Sequence, residues 1–242
     1  MDGDADVAAV AALMGEPARA SVLMALADGR GLAASTLAAE AGVAPSTVSG
    51  HLARLVDGGL ITVEISGRHR YFRLASPGVA EAVEALARLA PARPVRSLSQ
   101  GTHAEAIRRA RTCYDHLAGR LGVAVLDALV ENRALRVETA DATSSDPVLG
   151  AGRAKCFVLT DRGRRTLVDL GVSVEAPKRR PLVRYCVDWS EQQPHLGGWL
   201  GAALLQRFVD LGWVVRAERR VARITDKGRA GLTERLGVHL SD

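Results

Sequence analysis

The 242 residues predict a mainly α-helical α+β chain with small β-hairpins, on three observations. Apolar residues recur at helical spacing through most of the first ninety positions. Short β-branched or aromatic runs with turn residues between them interrupt that pattern. One block of sequence then recurs about 70 residues later in the second half.

The helices of the first part follow in order. Residues 7–14 are Ala-rich and helix-prone. Gly15-Glu16-Pro17 breaks them, and Pro17 suits a first helical position. Val22, Leu23 and Leu26 form the apolar stripe of a helix over 17–27, and residues 28–31 read as a turn. Ser35 or Thr36 is expected to cap a short helix that ends at Gly42. A helix begins at Pro45 and runs to Val56, with Val48, Leu52 and Leu55 inward. Ser46, Thr47, Ser49, Gly50 and Arg54 lie on its outer face, and His51, within the buried stripe but close to that face, is read either as a packing residue or as a phosphate contact. Residues 60–65 and 68–74 form a β-hairpin tipped by Arg68, His69 and Arg70. A helix over 77–89 closes the domain.

This order is that of a winged helix-turn-helix, a DNA-binding unit. Small polar side chains on the second helix approach base edges and phosphates, and the basic hairpin tip reaches a neighbouring phosphate or the minor groove. The run from Leu37 to Leu55, with Ser49 two before His51-Leu52, followed by Gly59-Leu60-Ile61, resembles the ArsR/SmtB family of winged-helix repressors. The resemblance covers about 80 residues. It implies a homodimer with two recognition helices in successive major grooves, and an effector that weakens DNA binding. The chain departs from that family where its metal sensors carry their ligands. The helix over 35–41 has no cysteine, and 77–89 offers only Glu81 and Glu84. Sensing is therefore expected elsewhere.

Charge does not single out the DNA-binding half. The chain carries a net +5 and a pI near 9.5, which suits a polyanion partner. Yet residues 1–90 hold 7 basic and 10 acidic groups, while the remainder holds 25 and 17. The argument for DNA rests on local pattern. No run of about 18 apolar residues predicts a membrane span. The acidic start is unlike a signal peptide. Three cysteines fit a reducing cytoplasm. The organisation expected is a DNA-binding domain over 1–90, a linker over 91–102 and a sensing domain over 103–242.

The sensing half is duplicated, with repeats expected at 103–172 and 181–242. Arg111, Cys113, Asp115, His116, Gly119, Leu121 and Gly122 correspond to Arg184, Cys186, Asp188, His195, Gly198, Leu200 and Gly201, with 189–194 inserted in the second copy. Thr160-Asp161 matches Thr225-Asp226, and Leu170-Gly171-Val172 matches Leu236-Gly237-Val238. Each copy reads as a degenerate winged helix, and the two are expected to pack about a pseudo-two-fold axis. Cys113, Asp115 and His116 with Cys186, Asp188 and His195 are the candidate effector ligands, a donor set for a thiophilic metal or metalloid such as zinc. The open alternatives are a Cys113–Cys186 redox switch, an apolar pocket for a small molecule between the repeats, and purely structural roles. Cys156 and Trp189 are expected in the core, residues 141–152 as a loose loop, and the basic run 178–180 as a solvated linker.

No catalytic residues are assigned. The sequence has no nucleophile elbow, phosphate-binding glycine loop or His-Glu-x-x-His. The expected function is a homodimeric repressor released by an ion or small molecule. The rivals are an enzyme with a cysteine nucleophile fused to a DNA-binding domain, and a ligand-independent DNA-binding protein.

Overall fold

The computed structural model describes residues 4–91, 94–139, 145–146, 150–151, 155–178 and 180–240. They form two compact units, Met1–Leu89 and Ala90–Asp242. Among the described residues no single helix is long and apolar enough to cross a membrane.

In the first unit α1 (Val7–Gly15) starts on Asp6, whose carboxylate accepts from the Ala9 N–H. Glu16 caps α2 (Pro17–Leu26), accepting from the Ala18 and Arg19 N–H groups. A short strand β1 (Leu32–Ala33) leads into α3 (Ala34–Ala41). Ser35 and Thr36 do not cap α3. They lie inside its first turn, and the cap position is Ala33, which has no side-chain acceptor. Gly42, left-handed at φ +66°, ends α3 and turns the chain into α4 (Pro45–Asp57). Strands β2 (Ile61–Ser66) and β3 (His69–Leu74) pair with Ser66 opposite His69, so Gly67 and Arg68 make the turn. Strand β1 adds to β3, giving the sheet order β1-β3-β2, and α5 (Pro77–Leu89) follows. Val22, Leu26, Leu37, Leu52, Leu55 and Ile61 are almost wholly buried and hold the three central helices on the sheet.

The second unit opens with α6 (Leu98–Arg109), which occupies part of the expected linker. No residue of α6 is buried, so it lacks the apolar stripe that announces a helix in sequence. The same series then occurs twice. In the first run a hairpin of β4 (Arg111–Cys113) and β5 (His116–Ala118) feeds the 13-residue α7 (Gly119–Glu131). Strand β6 (Leu135–Thr139) follows, then the short pair β7 (Ser145–Asp146) and β8 (Gly150–Ala151), then β9 (Lys155–Leu159), which pairs with β6. The rest of the expected loop over 141–152 lies outside the described residues. Thr160 caps α8 (Asp161–Asp169).

In the second run β10 (Arg184–Val187) and β11 (Pro194–Gly197) feed α9 (Gly198–Asp210), again 13 residues. Strands β12 (Val214–Arg216) and β13 (Ala222–Ile224) precede α10 (Asp226–Leu236), capped by Thr225. Thr160 accepts from the Gly163 N–H at 3.0 Å and Thr225 from the Gly228 N–H at 2.9 Å, the same cap in both copies.

The copies exchange partners. Helix α7 packs on β11, and α9 on β5. Leu121, Leu126 and Leu129 share one core with Leu200, Leu204 and Phe208. Two expectations fail here. Cys156 is exposed on β9, because strand residues alternate and its neighbour Phe157 takes the buried side. Arg180 is not merely solvated: it pairs with Asp115 at 2.7 Å and donates to the Gly198 carbonyl at 2.7 Å. Its neighbour Arg179 lies outside the described residues.

Candidate functional site

Each unit presents one candidate site. In the first, Val48, Leu52 and Leu55 bury one face of α4, and Ser46, Thr47, Ser49, Gly50 and Arg54 are exposed on the other. Ser49 donates back to the Pro45 carbonyl at 3.0 Å. Gly50 has nothing within 4 Å of the position a Cβ would take, so the helix backbone is bare there. His51 is half-buried, its Nδ1 3.4 Å from the Glu16 carboxylate. Arg68, His69 and Arg70 are all exposed at the tip of the β2–β3 hairpin. A ridge of small polar groups beside a basic tip matches the requirements of groove and phosphate contact.

In the second unit the duplication builds a cluster. Cys113 is directly opposite His116 across the β4–β5 hairpin, and Cys186 directly opposite His195 across β10–β11. Opposed residues of an antiparallel pair project to one face, so each hairpin presents one thiol and one imidazole side by side. The insertion of the second copy, 189–194, fills the turn and the first position of β11, where Pro194 pairs with Val187, without disturbing that pairing. The exchanged packing then faces the hairpins together. The ligand atoms of Cys113, His116, Cys186 and His195 all lie within 4.8 Å of one another. The two imidazoles stack at 5.1 Å between centroids. Glycines make room for them: a Cβ on Gly122 would come within 3.4 Å of the His195 Cβ, and one on Gly201 within 3.0 Å of the His116 Cβ.

The two carboxylates stand behind the imidazoles. Asp115 Oδ1 is 3.3 Å from His116 Nδ1, and Asp188 Oδ2 is 3.8 Å from His195 Nδ1. Asp188 is fully buried and held on both oxygens. Oδ2 accepts from the Arg111 guanidinium at 2.9 Å and the Gly119 N–H at 2.6 Å. Oδ1 accepts from the Ser190 N–H and hydroxyl and from the Glu191 N–H. Arg111 is itself fully buried, with its guanidinium over the Trp189 ring at 4.6 Å, so Trp189 covers an ion pair more than it fills a core.

Burial opposes the charge of Asp188, but Arg111, His195 and the donors around it hold its carboxyl well below the usual range. Asp115 is lowered in the same way, against its burial, by His116 and Arg180. Burial also disfavours a charged His116, yet Cys113 and Asp115 push its pKa up to about 9. His195 goes the other way. Burial and then the neighbouring His116 charge press its pKa well below the ordinary value, with Asp188 opposing. The two stacked imidazoles are thus driven in opposite directions, His116 toward its charged form and His195 toward its neutral one.

Residues 14–64 match the family model described as helix-turn-helix domain. Over 238 residues the chain is 38% identical to the HTH-type transcriptional regulator YdfF of Bacillus subtilis (strain 168), spanning 97% of this chain and 99% of that protein. The chain belongs to the helix-turn-helix transcriptional regulators. Among solved structures, this regulator is similar to the homodimeric winged helix-turn-helix domain of Mb0332 from Mycobacterium bovis. That match has 30% identity, 37% of this chain, 88% of that one and a TM-score of 0.31. It is also similar to the cadmium sensor CMTR of Mycobacterium tuberculosis, at 29% identity, 38% of this chain, 99% of that one and a TM-score of 0.31.

Of the six effector candidates in this regulator, the four Cys and His residues converge, and the two Asp residues stand behind the imidazoles. Sequence reasoning missed Arg111, the partner of Asp188. Its repeat counterpart Arg184 is exposed, so the duplication carried no sign that one of the pair is buried.

Proposed function

We propose that this transcriptional regulator acts in the cytoplasm as a homodimeric repressor that an effector releases from its operator. Each copy places α4 in a major groove and the β2–β3 tip on flanking backbone, with half-sites about 10 bp apart. Ser46, Thr47, Ser49, Gly50, His51 and Arg54 meet bases and phosphates, with Arg68, His69 and Arg70 alongside. The observation that carries this is the two-sided α4, whose apolar side is fully buried and whose polar side is wholly exposed. The effector acts in the second unit, at the Cys/His cluster. Ligation there shifts the spacing of the two recognition helices, and a mismatch against fixed groove spacing lowers affinity at both half-sites. The burial of Cys113 favours a ligand role over that of an enzymatic nucleophile, which needs access to substrate.

Fluorescence anisotropy on the regulator's own upstream DNA and a shuffled duplex, over a range of salt, tests the DNA half. The intact upstream duplex should bind more tightly. The double variant Arg54→Ala, Arg70→Ala should weaken binding and flatten the salt dependence by about one unit of slope per phosphate contact removed. Equal affinity for both duplexes would overturn the operator reading.

A further inference from the structure

We propose that Cys113, His116, Cys186 and His195 bind one thiophilic divalent metal ion of the zinc class in a closed, four-coordinate site. The ion's role as effector rests on the repressor reading above; its binding does not.

Four observations support it. The first is distance. In a tetrahedral zinc site, bonds of about 2.0–2.3 Å put the ligand atoms about 3.3–3.8 Å apart. Here all four atoms already lie within 4.8 Å, so closure needs only side-chain adjustment.

The second is unmet hydrogen bonding. His195 is wholly buried, and neither of its ring nitrogens has a hydrogen-bond partner among the described residues; nor does the buried Nε2 of His116. A buried polar atom without a partner carries the full cost of leaving water. Ligation through one nitrogen of each ring would satisfy two of these three atoms.

The third is orientation. Asp115 faces Nδ1 of His116 and Asp188 faces Nδ1 of His195. A carboxylate hydrogen-bonded to one ring nitrogen aims the other at a metal; Asp115 is within that reach at 3.3 Å, and Asp188 stands 3.8 Å from its ring, close enough to engage once the ring turns onto the ion. Asp188 is in turn fixed by Arg111, the Ser190 hydroxyl and three backbone N–H groups. The carboxylates therefore serve as positioning residues.

The fourth is charge. Two thiolates and two neutral imidazoles around a dication form a neutral assembly, which a buried site tolerates far better than a net charge. Each repeat supplies one thiolate and one imidazole, so the ion ties the two copies together across their pseudo-symmetry. A Cys113–Cys186 disulfide would join the same copies but leave the imidazole nitrogens unsatisfied.

The test uses the full chain, purified under reductant, stripped with a chelator and titrated with Co2+. The expected result is one ion per chain, an intense tetrahedral visible spectrum and thiolate-to-metal charge transfer. Cys186, the partly exposed thiol of the pair, should become protected from Ellman reagent, with the exposed Cys156 still reactive. Cys156→Ser should leave the spectrum unchanged. His195→Cys should keep one ion and strengthen the charge-transfer band. Asp115→Asn should weaken Co2+ binding about 10–100-fold with the spectrum retained.

A Cys186 thiol reacting equally with and without Co2+ would overturn the site. So would a pale octahedral spectrum, or a disulfide forming in place of metal uptake. Anisotropy on the same samples separates the two readings. Tetrahedral Co2+ in a chain that ignores operator DNA supports the site and sinks the repressor. Operator binding by a chain that takes up no metal does the reverse.

Discussion

The two units carry their candidate chemistry in opposite places. In Met1–Leu89 the reactive face is outside: α4 uses its apolar side to hold the fold and leaves its polar side bare. In Ala90–Asp242 it is inside: the imidazoles and the Asp188–Arg111 pair are buried within the core-forming hairpins. Substitutions on the outer face should therefore change DNA binding without destabilising the fold, whereas substitutions around the inner cluster should change stability and metal binding together. All three tryptophans, Trp189, Trp199 and Trp213, lie in the second unit. Their fluorescence follows the unfolding of that unit alone.

The sharpest way to break this contrast is Asp188→Asn. It leaves the Arg111 charge buried without the carboxylate that balances it. Removing one partner of a buried ion pair costs about 3–5 kcal/mol, read as a large drop in the urea midpoint by tryptophan fluorescence. The same pair predicts an acid dependence. The Asp188 carboxyl titrates lower in the folded chain than in the unfolded one. Its contribution is complete above the ordinary carboxylate range and is lost as pH falls through the folded value. Asp188→Asn should flatten that dependence, while DNA affinity of the folded fraction stays within about twofold. A midpoint unchanged from that of the unaltered chain would mean the pair does not support the second unit.

How much of this was readable beforehand follows from the range of each signal. The α4 stripe and the β2–β3 hairpin arise from residues a few positions apart, and their bounds match the pattern closely. The repeat, visible from offsets, was enough to nominate Cys113, His116, Cys186 and His195. It did not reveal that the insertion lengthens the hairpin turn and leaves Cys186 facing His195. The Asp188–Arg111 bond joins positions 77 apart, and nothing local to either residue announces it. Asp115 and Asp188 looked like ligands by residue type; only the packing puts them behind the rings. Helix α6 left no trace because none of its residues is buried.

A middle-sized effect tests the symmetry of the inner cluster. Gly122→Ala would set a Cβ 2.5 Å from the Leu117 carbonyl oxygen, and Gly201→Ala would set one 2.4 Å from that of Leu196. Both obstacles are backbone, so relief requires the helix to move off the hairpin. Overpacking of this kind costs about 1–3 kcal/mol. The two variants should lower the tryptophan-monitored midpoint by similar amounts and weaken Co2+ binding together. An effect confined to one of them would mean that the copies do not share the cluster equally.

The same substitution on the outer face should act in reverse. Gly50 sits within α4, exposed, with no atom within 4 Å of where a Cβ would go. Glycine inside a helix is about 0.5–1 kcal/mol less favourable than alanine. Gly50→Ala should therefore stabilise the first unit, seen as slower amide exchange along α4, with the tryptophan-monitored midpoint of the second unit unchanged. Yet the added methyl lies on the face assigned to DNA, where the bare backbone permits close approach to base edges. Operator affinity should fall while the helix becomes more stable, a combination that ordinary destabilisation cannot produce. If affinity were unchanged, Gly50 would lie outside the interface, and base contact would pass to Ser46 and Thr47 at the helix start.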